Sequence, residues 1–173
     1  MLDIVFLPQY NRNSFPLITI GGVFVSFNLM RLSFGSLLTE EAVNEVVSCN
    51  RVTQRYGLSL TAQQASALLE TRYDALENTG RIELGGGILP KLIQVFCDSP
   101  YLDQNCYEDM LHELLELFYW CKNETLDKVR DDVLLAFMKK QFDTKANGSI
   151  ELLQDILEQM AFGLRSGIFT QEG

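Results

Sequence analysis

The amino-acid sequence predicts a mainly α-helical protein, α+β by strict definition, in which a compact bundle of five or six helices carries a small N-terminal β hairpin or short sheet. From residue 39 onward, apolar residues recur at helical spacing between capping residues and glycines. The first 35 residues are instead rich in Phe, Val and Ile, poor in charge, and alternate as strands do. The chain has 173 residues, a length that suits one domain with a single core.

Residues 1–35 form an apolar N-terminal segment, which we expect to lie against a helical domain of residues 36–173 within one structural domain. Residues 17–20 and 23–29 are predicted to pair as a hairpin, because the intervening Gly21-Gly22 can adopt the positive φ angles of a tight turn. A helix through Phe24–Leu32 is the alternative. The stretch 17–30 is uncharged, yet it is shorter than the roughly 20 residues that a membrane-spanning helix requires.

The helices predicted after residue 38 are bounded by residues typical of helix ends. The first begins at a Thr39 cap and ends near Tyr56. The second begins with the capping box of Thr61 and Gln64, and Gly80 supplies its left-handed C-terminal cap. The remaining helices cover about residues 89–97, 103–121, 131–143 and 149–165. Because the 103–121 helix is apolar around much of its circumference, it is predicted to be central to the core.

The composition excludes several classes of function. The net charge is −9, with 14 basic and 23 acidic residues, and the longest basic run is Lys139-Lys140. Because binding of nucleic acids and of anionic membranes relies on clustered Lys and Arg, we expect neither a nucleic-acid nor a membrane partner. The N-terminus lacks the basic and apolar regions of a secretory signal, and Asp3 is acidic, so a cytoplasmic location is predicted.

The cysteine and histidine pattern predicts no metal site and no cofactor. The four cysteines contain no C-x-x-C pair, and His112 is the one histidine, so Cys/His zinc sites lack ligands. Apolar or aromatic residues flank the cysteines, and we therefore expect buried free thiols rather than disulfides or reactive groups. They are Cys49, Cys97, Cys106 and Cys121.

The strongest candidate for a ligand site lies between Arg81 and Lys91. Arg81–Leu84 is predicted to be extended and to join the β element, and three glycines then precede a helix. Backbone N–H groups ahead of a helix can bind an anion, with Lys91 adding charge in the first turn and Glu83 orienting a cation or binding a hydroxyl. The predicted ligand-binding residues are Arg81, Glu83, Gly85, Gly86, Gly87 and Lys91.

A purely structural link between a strand and a helix is the alternative interpretation of this glycine stretch. Such a link also requires glycine where the backbone follows a tight path. The two interpretations differ in where the backbone N–H groups point. Free N–H groups beside a cleft would favour the ligand site, whereas N–H groups bonded within the fold would favour the structural link.

Two acidic clusters are weaker candidates, and no catalytic residue is predicted. Glu108, His112 and Glu116 are spaced i, i+4 and i+8 on one helix, with Asp109 and Glu113 beside them, but a two-metal site would need another histidine. We favour the solvated face of the helix. The second cluster fits helix starts better than a divalent-cation or acid–base site. It comprises Asn123, Glu124, Asp127, Asp131 and Asp132.

Four segments resemble the signature segments of a known family. They are Gly57–Thr61, Thr79–Lys91, Phe96–Tyr101 and Lys122–Glu124, and the most specific part lies within the pattern G-R-I-E-x-G-G-G-I-L-P-K-L. On these segments the chain resembles an uncharacterised bacterial protein family, a domain of unknown function, over about residues 40 to 165. The first 35 residues fall outside it. The resemblance implies a bacterial, cytoplasmic setting and supplies neither an activity nor a catalytic residue.

Two hypotheses about function follow. The first is a non-catalytic intracellular interaction module, which docks on a protein partner or forms a homo-oligomer through the apolar N-terminal segment. The second is a small anionic-ligand-binding protein or enzyme with its site in the stretch from the three glycines to Lys91. The association surface of the first hypothesis would consist of Phe24, Phe27, Leu29, Leu32 and Phe34.

Overall fold

The computed structural model describes residues 40–166. The predicted hairpin, the remainder of the apolar N-terminal segment and the Thr39 cap lie outside the described residues. Within the described range the chain is mainly helical and has no strand, so the prediction of a mainly α-helical fold is confirmed. No helix among residues 40–166 combines the length and apolarity that crossing a membrane would require.

The first helical stretch is tightened near its middle. Residues 40–48 form α1, Asn50–Thr53 form α2, and a 3-10 turn covers Gln54–Tyr56. Between α1 and α2 the Cys49 N–H donates to the Val46 carbonyl, three residues back, at 3.1 Å. This shorter bond replaces the regular four-residue spacing, and the predicted single helix is therefore divided.

Helix α3, Ala62–Thr79, begins at the predicted capping box. The Gln64 N–H donates to the Thr61 hydroxyl at 3.2 Å, and the Thr61 N–H donates to the Gln64 side chain at 2.9 Å. Gly80 ends the helix in the left-handed conformation with φ 66, as predicted. The helix therefore begins and ends where its local chemistry indicates.

The connection after α3 contains no strand, which corrects the expectation that Arg81–Leu84 would join a β element. The Arg81 N–H donates to the Leu76 carbonyl at 2.9 Å, so it satisfies the end of α3 rather than a neighbouring strand. Helix α4, Leu89–Phe96, follows with Pro90 in its first turn.

Helix α5, Tyr107–Glu124, is the central element and lies against α3, α4 and the last helix. We expected it to begin at residue 103. Instead the Asp103 carboxylate accepts the N–H groups of Asn105 and Cys106 at 2.7 and 3.2 Å, which closes a turn before the helix. The inner face of α5 is apolar as predicted, with buried side chains from Tyr107 to Cys121.

Helices α6, Asp131–Thr144, and α7, Ile150–Arg165, complete the bundle. The predicted Ser149 cap of α7 is confirmed, because its hydroxyl accepts the Leu152 N–H at 3.2 Å. Every α-helix contributes apolar side chains to one continuous core, and the short α2 does so only through the partly buried Val52. The candidate sites lie on two surfaces. One is formed by the outward faces of α4 and α6, and the other is the irregular connection between α3 and α4.

Candidate functional site

A buried arginine organises the glycine stretch, and sequence analysis did not single it out. Arg72 lies on the inner face of α3 with a side chain that is 0% exposed. Its Nε and Nη2 donate to Glu83 Oε2 at 3.3 and 3.2 Å, and its Nη1 donates to the Gly85 carbonyl at 3.0 Å. Because a buried guanidinium is costly unless it is paired and hydrogen-bonded, these contacts hold the connection against α3.

The same oxygen of Glu83 joins two further elements. The Tyr119 hydroxyl of α5 donates to Glu83 Oε2 at 2.8 Å, and the Ile88 N–H donates to it at 3.3 Å. Burial, together with the nearby negative charge of Glu83, raises the pKa of the Tyr119 hydroxyl. The hydroxyl therefore stays protonated and serves as a donor. Glu83, predicted as a ligand group, links α3, α5 and the start of α4.

Two of the three backbone N–H groups of the glycine stretch are also used within the fold. Gly86 N–H donates to Glu45 Oε2 of α1 at 2.7 Å, and Gly87 N–H donates to the Leu84 carbonyl at 3.2 Å. Such internal bonds are what the structural-link interpretation expects. Anion binding by these N–H groups stays a prediction, and an anion would have to displace the Glu45 carboxylate.

Gly87 has both a conformational and a spatial reason to be glycine. Its φ is +57, in the left-handed region that other residues rarely adopt. A Cβ at this position would overlap Glu83 Oε2 and the guanidinium of Arg72. The close approach of backbone to the ion pair therefore depends on the absence of a side chain at residue 87.

Arg81 lies in a second cluster, which fixes the connection between α5 and α6. Its Nη1 contacts Asp127 Oδ1 at 2.6 Å, and the same oxygen lies 3.1 Å from Lys122 Nζ. Lys122 Nζ also contacts Asp131 Oδ1 at 2.7 Å and donates to the Val129 carbonyl at 2.8 Å. Burial opposes the charge of Lys122, but the hydrogen bonds to Asp131 and Asp127 outweigh it and raise its pKa. Two of the predicted acidic residues thus stabilise a loop.

Lys91 lies in neither cluster. It is exposed on α4 and lines an open depression of about 540 Å³ between α4 and α6. The structure therefore brings four predicted site residues onto the Arg72 network, namely Glu83, Gly85, Gly86 and Gly87, and places Arg81 and Lys91 in two other settings.

Two residues of the cluster predicted on α5, Glu108 and His112, contact α3, whereas Asp109, Glu113 and Glu116 are exposed. Glu108 Oε2 accepts from Gln64 Nε2 at 2.8 Å, and His112 Nδ1 lies 2.7 Å from the Thr71 hydroxyl. Among residues 40–166, His, Cys, Asp and Glu side chains form no group of three that could hold a metal ion. These contacts are accounted for by the packing of α3 on α5.

The cysteines are unpaired, and three of the four are buried. Burial raises the pKa of the Cys49 and Cys97 thiols, and raises that of Cys121 to about 11. A thiol with a raised pKa is a poor nucleophile near neutral pH. Cys49, Cys97 and Cys121 therefore fit the predicted role of buried free thiols, whereas Cys106 is only partly buried, which corrects the prediction for that residue.

The network residues that sequence reasoning missed are Arg72, Tyr119 and Glu45. The sequence did contain a signal for Arg72. Leu68, Arg72 and Leu76 are spaced i, i+4 and i+8, which places the arginine on the apolar face of the helix. An unpartnered charge at such a position predicts a buried ion pair. Nothing in the local sequence identifies Tyr119 or Glu45 as its neighbours, since both contacts are long-range.

Two large apolar side chains project from the same connection. Ile82 is 92% exposed and Leu84 is 86% exposed, on either side of the inward-bonded Glu83. Leu126, beside the Arg81–Asp127 ion pair, is 72% exposed. We call Ile82, Leu84 and Leu126 the connector surface. It is apolar, while the polar groups behind it are bonded within the fold.

A family model with the description "Family of unknown function (DUF6323)" matches residues 45–170. The matched range includes both ion-pair clusters, the glycine stretch and the connector surface. The sequence matches none of the curated proteins and none of the solved structures.

Proposed function

The chain belongs to this family of unknown function, and we propose that it is a non-catalytic interaction module that associates with a second copy of itself or with a protein partner. The observation that carries the proposal is the exposure of Ile82 and Leu84, at 92% and 86%, on a connection that is fixed from behind. Exposed aliphatic residues are ordinary when single, but adjacent large ones on a fixed backbone favour a contact surface.

The geometry explains why these side chains face outward. Glu83, between them, is bonded inward to Arg72 and Tyr119, while Ile82 and Leu84 make their side chains accessible to solvent. Because hydrogen bonds already order the backbone of this connection, the connection would lose little conformational entropy when a partner binds. Burial of each aliphatic side chain would contribute about 1.5–3 kcal/mol.

The apolar N-terminal segment is proposed as a second part of the contact. Residues 1–35 carry the excess of large apolar side chains found in the sequence, and the described chain begins five residues before Glu45. Since Glu45 binds Gly86, α1 lies directly against the glycine stretch. At about 1.5 Å per helical residue, the first described residue lies within roughly 10 Å of that contact along α1.

The test is the mass of the full chain by light scattering and by native mass spectrometry after gentle purification from its own cells. We expect a dimer or a hetero-complex that is lost in I82S/L84S and kept in the matched control V133S/L152S, which changes two exposed aliphatic residues elsewhere. A wild-type chain that is monomeric by both measurements would contradict the proposal. A complex that survives I82S/L84S would exclude the connector surface as its interface.

A deletion of residues 1–35 tests the second part of the contact. The helical domain should remain folded by circular dichroism while its oligomeric state changes. An unchanged mass would remove the N-terminal segment from the interface, and loss of the whole fold would show that the segment belongs to the core instead.

A further inference from the structure

The depression that contains Lys91 is formed by one face of each of two helices. From α4 it is lined by Lys91, Gln94 and Val95, which are spaced i, i+3 and i+4. From α6 it is lined at the spacing of two helical turns by Asp132, Leu135, Ala136, Lys139 and Lys140. We call this depression the α4–α6 groove. It brings Lys91 to the one basic pair in the sequence, although about 50 residues separate them along the chain.

The groove carries positive charge on a chain whose net charge is −9. Within residues 40–166, neither the Lys91 nor the Lys140 side-chain ammonium group has a hydrogen-bond or ion-pair partner. Lys139, in contrast, is paired with Asp98 at 3.0 Å and with Asp143. Two lysine charges of the groove are therefore available to a ligand.

The carboxylate of the groove is engaged elsewhere. Asp132 accepts from Arg130 Nε and Nη2 at 3.1 and 2.8 Å. Its charge is thus matched by a guanidinium outside the set of lining residues. Asp98 and Asp143 are likewise bound to Lys139, so the lysines at positions 91 and 140 set the net charge of the groove.

The groove also has an apolar part on a fixed base. Leu135 is buried, and Val95 is partly buried against the core. Beneath the two helices the rings of Phe96 and Phe142 meet edge to face with centroids 5.6 Å apart. This contact joins α4 to α6 within the core.

We propose that the α4–α6 groove binds a small organic anion, with Lys91 and Lys140 contacting its phosphate or carboxylate group and Val95 and Leu135 contacting an apolar portion. The volume of about 540 Å³ lies within the range typical of small-molecule sites. A long polyanion is disfavoured, because the positive charge is local and the surrounding protein is acidic. The groove shares no lining residue with the connector surface, so it can bind an anion whether or not that surface binds a partner.

The experiment titrates the full chain with phenyl phosphate and with benzoate by calorimetry. Inorganic phosphate and benzyl alcohol serve as probes that lack the apolar or the anionic part. We expect one of the two aromatic anions to bind, and K91Q/K140Q to weaken that binding at least tenfold. The matched control R51Q/K145Q removes the same charge from two exposed positions outside the groove and should bind as the wild type does.

Each other outcome contradicts the inference. Absence of binding by both aromatic anions at millimolar concentration would exclude this ligand chemistry, and equal binding by K91Q/K140Q would exclude the groove. Inorganic phosphate binding as tightly as phenyl phosphate would exclude the apolar contact. Circular dichroism of K91Q/K140Q checks that the variant is folded, and the single variants K91Q and K140Q separate the two lysines. The oligomeric state of K91Q/K140Q should equal that of the wild type. A failure of the groove proposal can therefore be told apart from a failure of the association proposal.

Discussion

The glycine stretch and the α4–α6 groove both combine basic side chains with the start of a helix, but the fold uses them in opposite ways. Arg72, behind the glycine stretch, is 0% exposed and is bonded through three of its nitrogens to Glu83 and Gly85. Lys91 and Lys140 in the groove are exposed and, within the described part of the chain, unpaired. The comparison teaches that basic residues near glycines predict a ligand site only when their polar groups are not already satisfied within the fold.

The largest expected change in stability comes from removing the buried ion pair, and its absence would contradict this comparison. Arg72→Met should lower the free energy of unfolding by about 4 kcal/mol, because Glu83 and the Gly85 carbonyl lose their partner. Urea denaturation measures it. Arg130→Met is the control, since its ion pair with Asp132 is exposed and its loss should leave the free energy of unfolding nearly unchanged. Similar values for the two variants would show that Arg72 is not a structural charge.

A smaller effect is expected from adding a methyl group beside the ion pair. Gly80→Ala should cost about 1 kcal/mol for its positive φ alone, because a Cβ there meets nothing within 4 Å. Gly87→Ala should cost about 2 kcal/mol more than that, since the Cβ also overlaps Glu83 and Arg72. Thermal or urea unfolding of the two variants measures the difference. Equal destabilisation would contradict the close approach at Gly87.

The smallest effect concerns the pH dependence of the second cluster. The hydrogen bond from Arg81, opposed by burial and aided by Lys122, lowers the pKa of Asp127 in the folded protein. Its contribution to stability is therefore present above the unfolded pKa of about 4 and is lost as the pH falls through the lower folded pKa. Asp127→Asn should cost under about 1 kcal/mol at pH 7, and the difference from wild type should shrink at pH 3. A difference that is the same at both pH values would refute the linkage.

Most of the helical fold could be predicted from local sequence. The capping box at Thr61 and Gln64, the left-handed Gly80 and the Ser149 cap each act within one helical turn, so their residues suffice to predict them. The start of α5 was predicted too early, because the Asp103 turn competes with helix formation over the same residues. The division of the first predicted helix near Cys49 was not predicted either. It depends on whether the Cys49 N–H bonds to the carbonyl three residues back or to the one four residues back.

The candidate sites were predicted less well, since their geometry depends on long-range contacts. Sequence identified Glu83 and Lys91 as residues of interest, but their 83-to-91 spacing suggested one site where the structure has two settings. The setting of Glu83 is determined by Arg72 on α3 and Tyr119 on α5. The setting of Lys91 is determined by Lys140, which lies across the groove on α6. No local pattern specifies which helix faces which, and so the assignment requires the folded chain.

The most direct test of this account is amide NMR of the isotope-labelled full chain during titration with the aromatic anion, phenyl phosphate or benzoate, that binds it in calorimetry. We predict that the Gly86, Gly87 and Ile88 amides keep their chemical shifts, because they are bonded to Glu45, Leu84 and Glu83. The Lys91 and Lys140 signals should move with one binding isotherm. If the three amides of the glycine stretch instead shift together with Lys91, the anion binds at the glycine stretch, and the separation of the two regions is wrong.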